Sequence, residues 1–393
     1  MTAPAPIRML LVQGFRGFFT LAGIWSVVAM VAWLAWLTGW LPAVTTPWPA
    51  SQAHGHEMMF GFVGAAAAGF LLSATPVWSK TPPLTGTPLT VLVIAWLAGR
   101  MAAAGFGYLT PWIQTLADTL FWSGLLIFLT PTLWFTGNPV HRIFPILVGL
   151  MALGDWLMHL EAVGWHSTAS EGLMLGVNAI VFFLAMTGGH IMPMFTRDAL
   201  RARGEETPFP ISPALEILGV TTLTALVAAD LFFPSTNAAG WIFLAAGLVQ
   251  GVRLSRWHGH KTFSTPLLWV LHLGYLWLVV GLLLRALAQL TDLVNPSAAL
   301  HAVTIGAMGL FTLGIMARVA LMHTGRALHL HAATLTTAFL LMTAAAVTRV
   351  FGTTWAGSEA LLPSGGLWIG AYLLFCWLFV PILSTPRPDG QAG

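Results

Sequence analysis

The sequence predicts an all-α, polytopic membrane protein with about twelve transmembrane helices in one bundle. Of its 393 residues, 57% are hydrophobic and only 7% are charged, whereas roughly a quarter of the residues in a soluble domain are charged. Nineteen tryptophans suit the aromatic belts at the two surfaces of a bilayer. So few charges cannot hydrate the surface of a water-soluble protein, and the lipid bilayer is therefore its expected surroundings.

Twelve apolar runs approach the roughly 20 residues that a helix needs to cross a bilayer. Short segments rich in Pro, Gly and Asn separate them, among them TPPLTG, FTGNPV and LVNPSA. No soluble domain interrupts the series, so residues 1–393 are predicted to form a single membrane domain. The predicted helices cover residues 17–40, 55–78, 88–108, 111–135, 141–164, 171–195, 212–233, 237–254, 265–290, 297–322, 329–351 and 361–383.

The basic residues predict how these helices are oriented. An even number of helices places both termini on one side of the membrane, and most basic residues fall on that side. Because cytoplasmic loops carry the excess of Lys and Arg, both termini are predicted to be cytoplasmic. The basic residues assigned to this side are Arg8, Arg16, Lys80, Arg142, Arg197, Arg201, Arg203, Arg253, Arg256, Lys261, Arg326 and Arg387.

Composition also excludes several classes of function. The single cysteine, Cys376, excludes an intrachain disulfide and a CxxCH haem attachment. Sixteen Lys and Arg residues are sparse for a chain of this length and lie in short loops, so nucleic acid is not predicted as a partner.

A weak internal repeat indicates three units of four helices. The second predicted helix ends in TPVWSK and the sixth ends in MPMFTR, with Pro, aromatic and basic residues in register. The tenth ends in LMHTGR, which matches only in its last basic residue.

Ionisable residues inside the predicted helices are the functional candidates, because charge within a membrane is costly and normally faces a bundle interior. His54, His56 and Glu57 open the second helix in the segment HGHEMMFGF. An extended lead into that helix would turn both imidazoles toward one cavity, and imidazole suits iron, copper and zinc. Asp155 and His159 are four residues apart, the spacing at which a carboxylate orients a ligand histidine.

Three arginines, Arg100, Arg285 and Arg349, are predicted to lie in the outer half of the membrane, against the positive-inside trend. They need anionic partners. Protein carboxylates such as Asp118 or Glu161 meet this need, and so do the propionates of a bound haem, since guanidinium pairs bidentately with carboxylate.

A second, inner group consists of His190, His272, Arg318 and His323. His301 lies near the outer start of the helix that also carries His323, and the two are about 33 Å apart at 1.5 Å per residue. They cannot ligate the same metal, so the histidines form an outer group and an inner group.

Several long segments resemble the NnrS family of bacterial membrane proteins. They are HGHEMMFGFVGAAAAGFLLSATPVWSK, VLVIAWLAGR, TPLLWVLHLGYLWL and HAVTIGAMGLFTLGIMARVALMHTGR, and the resemblance extends from FRGFFTLAGIW to STPRPDG. It implies a multi-pass protein of the bacterial inner (cytoplasmic) membrane that contains non-covalent haem b and copper. It also implies a role in nitric oxide metabolism, as in denitrification, or in nitrosative stress defence, with nitric oxide or a similar diatomic molecule as ligand and an electron donor of unknown identity.

Roles for individual residues follow from the charge pattern and this resemblance together. His54, His56 and His301 are the first predicted metal ligands, and His272, His323 and His159 come next. Glu57 and Glu161 are the predicted catalytic proton donors. The predicted cofactor-binding arginines are Arg100, Arg285, Arg349 and Arg318.

Two alternatives remain open at the level of sequence. One is a membrane transporter of metal, haem or a small anion, because twelve helices with sparse interior charge are a common transporter plan. The other is a sensor or sink that binds nitric oxide without turnover, because it needs the same open metal site as an enzyme.

Overall fold

A computed structural model of the protein describes residues 6–41, 47–104, 111–135, 138–209 and 212–391. Within these ranges the regular structure is entirely helical, and eleven helical stretches are long and apolar enough to cross a membrane. The predicted all-α, polytopic class is therefore confirmed. The helices are α1 Gly14–Leu37, α2 Ala50–Ser79, α3 Gly86–Ala104, α4 Pro111–Trp134, α5 Pro139–Ala162, α6 Ala169–Ala202, α7 Pro213–Phe232, α8 Asn237–Ser255, α9 Pro266–Leu290, α10 Pro296–His323, α11 Ala332–Val347 and α12 Leu361–Leu383.

The last of the eleven stretches, Ala332–Leu383, contains both α11 and α12. Ser364 Oγ donates a hydrogen bond to the carbonyl of Ala345 over 2.9 Å, although a straight helix would separate them by roughly 28 Å at 1.5 Å per residue. The chain therefore reverses between them, and Gly357 adopts a φ of +56° in the connection. The count of twelve spans and the cytoplasmic position of the termini stay predictions.

Helix boundaries differ from the predictions mainly at α2 and α6. Helix α2 begins at Ala50 rather than at residue 55, so His54 and His56 are helical and the expected extended lead is wrong. A helix satisfies its own backbone hydrogen bonds where no water is present, which favours helical over extended chain here. Helix α6 continues to Ala202 instead of ending at 195. The predicted end of α3, residues 105–108, lies outside the described residues.

The chain divides into two compact units. Unit 1 consists of Met1–Ala179, Met316–Leu330 and Tyr372–Gly393, and unit 2 consists of Ile180–Ile315 and His331–Ala371. Each unit has its own core of Leu, Ala, Phe and Trp side chains.

Two arginines assigned by sequence to the charge bias of the loops instead cap helix ends in unit 1. Arg16 is fully buried and donates to the carbonyls of Leu383 and Thr385 over 2.7 and 2.9 Å. Arg387 donates to the carbonyl of His323, the last residue of α10, over 2.9 Å. The final carbonyls of a helix lack partners within the helix and carry partial negative charge, so guanidinium groups stabilise them.

Among the described residues, π-helical segments occur at Glu57–Val63 in α2, at Ala302–Gly309 in α10 and at Thr348–Gly352, directly after α11. The first two follow immediately after His56 and His301. Such turns are rare and occur frequently at functional sites, so they direct attention to these two histidines.

Helices α5 and α6 touch backbone to backbone in unit 1. A Cβ atom on Gly154 would lie 2.5 Å from the carbonyl oxygen of Gly172, and one on Gly172 would lie 2.4 Å from that of Gly154. Only glycine permits this approach, which fixes the position of Asp155 on α5.

We expect Gly154→Ala to destabilise the protein by about 1–3 kcal/mol, the usual cost of overpacking. Gly149→Ala on the same helix is the matched control, because a Cβ there meets nothing within 4 Å. The thermal midpoint of each variant in detergent measures the effect. Equal midpoints for the two variants would contradict the close contact between the helices.

Candidate metal centre

A buried group of four ligand-type side chains lies in unit 1. His56 comes from α2, Asp118 from α4, and Asp155 and His159 from α5. One ligand atom from each residue lies within 4.8 Å of all the others. His56, Asp155 and His159 are each only 1% exposed and Asp118 is 4% exposed. We call these four residues the metal centre, because they are candidate metal ligands.

The distances within the metal centre show how closely its members converge. His56 Nε2 lies 2.9 Å from Asp155 Oδ1 and 3.6 Å from Asp118 Oδ2. His159 Nε2 lies 3.2 Å from Asp118 Oδ2 and 3.9 Å from Asp155 Oδ2. The predicted pairing of Asp155 with His159 is thus present, but Asp118 is the nearer carboxylate to His159.

Arg100 and Glu57 extend the metal centre toward α3. Arg100 Nη1 donates to Glu57 Oε2 over 2.8 Å, and Arg100 Nη2 donates to Asp118 Oδ1. Trp25 Nε1 also donates to Glu57 Oε2, over 2.9 Å. The anionic partners of Arg100 are therefore protein carboxylates, one of the two alternatives that the sequence left open.

The charges of this region do not balance without further positive charge. The region contains three carboxylates, of Glu57, Asp118 and Asp155, and one guanidinium, which contacts the first two. Both ring nitrogens of His56 face carboxylate oxygens, because Nδ1 lies 2.9 Å from Glu57 Oε1 and Nε2 contacts Asp155. Two additional positive charges complete the balance, supplied either by protons on the two histidines or by one divalent cation.

One nitrogen of the metal centre lacks a hydrogen bond. His159 Nδ1 is buried and has no hydrogen-bond partner among the described residues. Trp48 packs against both imidazoles, with its ring centroid 4.9 Å from that of His56 and 5.3 Å from that of His159. His159 Nε2 is the ring nitrogen that contacts the carboxylates, so Nδ1 is the second nitrogen of the same ring, and an unsatisfied buried nitrogen of this kind is unusual.

A mostly apolar cavity of about 350 Å³ adjoins the metal centre in unit 1. Glu57 and His54 line it together with Trp25, Trp33 and Trp36. The His54 ring stacks on Trp33, with centroids 4.6 Å apart. His54 and His56 thus face different surroundings, and the structure does not bring His54 into the metal centre.

Comparison with known proteins agrees with the resemblance seen in the sequence. A family model described as NnrS protein matches residues 9–387, nearly the whole chain. The chain belongs to the NnrS family. A search of curated proteins finds no match.

The remaining candidates in this NnrS family member lie apart from the metal centre. Arg285 pairs with Asp230 over 2.8 Å in unit 2, and its guanidinium lies 4.1 Å from the centroid of Phe243. Glu161 accepts a hydrogen bond from the backbone nitrogen of Ala169 over 2.8 Å, so it caps the start of α6. This contact gives Glu161 a structural role, and its catalytic role stays a prediction.

The other predicted histidines are also dispersed. In unit 2, His272 Nε2 lies 2.9 Å from Thr196 Oγ1. His323 packs against Phe15 in unit 1, with ring centroids 5.3 Å apart. Arg318 is buried. None of these three belongs to the group of four described above.

His301 and Arg349 share a neighbour in unit 2. His301 Nδ1 lies 2.7 Å from the carbonyl oxygen of Ser297, and Arg349 Nη2 donates to Ser297 Oγ over 2.8 Å. The partner of Arg349 is therefore a hydroxyl group and not a carboxylate, in contrast to Arg100 and Arg285.

Sequence reasoning missed a buried network around Arg253, which it assigned to a loop. Arg253 is 3% exposed and donates to Glu216 Oε2 and Gln250 Oε1, both over 2.7 Å, and to the Tyr275 hydroxyl over 2.9 Å. Gln250 and Arg253 are three residues apart and so lie on one helical face. This spacing is the feature of the sequence that could have indicated a buried polar network.

We expect Arg100→Gln to destabilise the protein by about 3–5 kcal/mol, because it leaves buried carboxylates without their cation. The double variant Arg100→Gln, Asp118→Asn keeps the net charge of the site and should lose less stability than Arg100→Gln alone. A double-mutant cycle on thermal or denaturant midpoints measures the coupling. Additive losses would show that the ion pair is not formed.

Proposed function

We propose that this protein binds a divalent transition metal at the metal centre and uses it to bind nitric oxide. The observation that supports this most directly is the convergence of two imidazoles and two carboxylates within 4.8 Å in the buried interior of unit 1. Membership of the NnrS family supports nitric oxide as the ligand. The proposal makes His56, Asp118, Asp155 and His159 the metal ligands.

The donor set fits copper. Nitrogen and oxygen donors suit Cu(II) and also iron and zinc, and the two missing positive charges equal the charge of one divalent ion. His159 Nε2, 3.2 Å from Asp118 Oδ2, is the nitrogen of this imidazole that faces the other ligands. A bound metal would supply an open coordination position for a diatomic molecule.

The described residues fit haem less well. Arg100 and Arg285 were predicted to hold either haem propionates or protein carboxylates, and both pair with protein carboxylates. Only Arg349 is left as a propionate partner among these three. We therefore assign copper to the metal centre and derive no role for haem b there.

The cavity beside Glu57 suits a small uncharged ligand. Its walls are mostly Trp and Ala side chains, and Glu57 is its acidic member. Nitric oxide is small and uncharged, so an apolar cavity offers it a path that excludes hydrated ions. We infer that Glu57 holds or moves a proton at Oε1, where it contacts His56 over 2.9 Å.

An alternative function needs no metal. The same carboxylates and histidines form a balanced network when both imidazoles are protonated, and such buried networks occur along proton and ion pathways of membrane transporters. Metal analysis separates the two, because a well-folded protein that stays free of metal and colour would support the transporter.

The first test is iron and copper analysis of purified protein, with optical spectra before and after reduction and with nitric oxide. We expect His159→Ala to lose most of the bound metal. His141→Ala is the matched control, because His141 is another buried histidine of unit 1 and stacks on Trp78. Equal metal content in both folded variants would overturn the ligand assignment.

A second measurement distinguishes an enzyme from a sensor or sink. If the protein turns over nitric oxide, Glu57→Gln should lower steady-state consumption by about 10²-fold or more, in the range of general acid catalysis, while the metal content stays constant. Glu161→Gln is the control and should retain wild-type consumption. Stoichiometric binding without consumption in the wild type would identify a sensor or sink.

A further inference from the structure

A pattern of one histidine and three glycines occurs twice in the chain. In α2 it consists of His56, Gly61, Gly64 and Gly69, and in α10 of His301, Gly306, Gly309 and Gly314. The spacings are identical, and each histidine is followed by a π-helical segment. This agreement extends far beyond the basic residue that the ends of these helices share.

The contacts of these glycines are also repeated. A Cβ atom on Gly61 would lie 2.7 Å from Trp25 of α1, and one on Gly306 would lie 2.5 Å from Trp277 of α9. In the same way Gly69 meets the adjacent residues Phe18 and Phe19, and Gly314 meets the adjacent residues Val270 and Leu271, with Phe19 and Val270 the nearer of each pair. Trp25 follows Phe19 by six residues, as Trp277 follows Leu271, so α1 and α9 are in matching register.

The third and fourth helices of each set repeat as well. Gly64 packs on Trp122 of α4, and Gly309 packs on Trp368 of α12. Leu92 of α3 packs on Gly124, and Leu341 of α11 packs on Gly370. Helices α1–α4 of unit 1 and α9–α12 are therefore two copies of one four-helix arrangement.

The register assigns counterparts to the charged residues beside the metal centre. Arg100 follows Leu92 by eight residues, and Arg349 follows Leu341 by eight. Asp118 precedes Trp122 by four residues, and Ser364 precedes Trp368 by four. Glu57 follows His56 directly, and Ala302 follows His301.

The second copy keeps the histidine and the arginine but lacks both carboxylates. Among the described residues, no carboxylate lies within ion-pair distance of Arg349, whose side chain donates to Ser297 Oγ. Ser364 Oγ instead donates to the carbonyl of Ala345, one helical turn before Arg349. A guanidinium within a membrane-spanning hairpin usually has an anionic partner, and the described residues of the second copy do not provide one.

We propose that unit 2 contains an anion site formed by Arg349, with Ser297 and His301 beside it. Its ligand carries a carboxylate or phosphate group that occupies the place of the Glu57 and Asp118 carboxylates in the first copy. The ligand is either a small free anion or the headgroup of an acidic lipid. The site is separate from the metal centre and does not depend on the function proposed for it.

The test introduces into the second four-helix copy a carboxylate at Ser364, the counterpart of Asp118 in the first copy. Ser364→Asp should pair with Arg349 and weaken anion binding by at least about tenfold, as expected for loss of a charge-assisted pair. Ser364→Asn is the matched control and should bind as the wild type does. Arg349→Gln removes the cation itself and keeps the test decisive if Ser364→Asp does not fold.

The probes are inorganic phosphate, acetate and short-chain phosphatidylglycerol, added to protein in neutral detergent at constant ionic strength. Binding is measured as a saturable rise in thermal midpoint. The rise measured for Arg349→Gln is subtracted, because it reports only general effects of salt. A response to phosphate or acetate identifies a free-anion site, and a response to phosphatidylglycerol alone identifies a headgroup site. No response to any probe, or an equal response in Ser364→Asp and wild type, overturns the proposal. Metal content, measured in parallel, should be unchanged in all three variants.

Discussion

The guanidinium of Arg100 stabilises the most highly charged part of unit 1. It joins Glu57 on α2 to Asp118 on α4, and Asp118 in turn contacts His159 on α5. Three carboxylates in a buried, membrane-spanning region would repel one another strongly without a cation between them. Arg100 therefore links α3 to α2 and α4, and through Asp118 to α5, and it offsets the charge of two of the acids in this region.

The metal centre has a charged interior, and the cavity that adjoins it is lined mostly by apolar side chains. Glu57 belongs to both, since it contacts His56 and Arg100 on one side and lines the cavity on the other. Trp48 covers the imidazoles and Trp25 holds Glu57. Water is thus kept from the charges by aromatic rings, which strengthens electrostatic interactions inside the site.

Much of the fold could be predicted from sequence, because an apolar run of helical length has few other stable states in a bilayer. The importance of His56, and the nearness of Asp155 to His159, could be predicted from the same pattern. The pairing of Asp118 with Arg100 was only one of several options, because nothing in a single sequence shows which helices are neighbours. Arg16 and Arg253 were misassigned to loops, since composition near a helix end does not show whether a side chain turns inward to a carbonyl or a carboxylate. His54 was grouped with His56 because this segment was expected to be extended. In the helix that forms instead, residues two apart point about 200° from each other.

The π-helical turns after His56 and His301 bear on the history of the chain. An additional residue in a helical turn changes the face presented by everything that follows it, so such a turn is difficult to gain independently at the same position in two helices. The simplest history is one ancestral four-helix segment that already contained the turn and its histidine before it was duplicated. On that history, the π-helical turn came before the difference in carboxylates that now distinguishes the two copies.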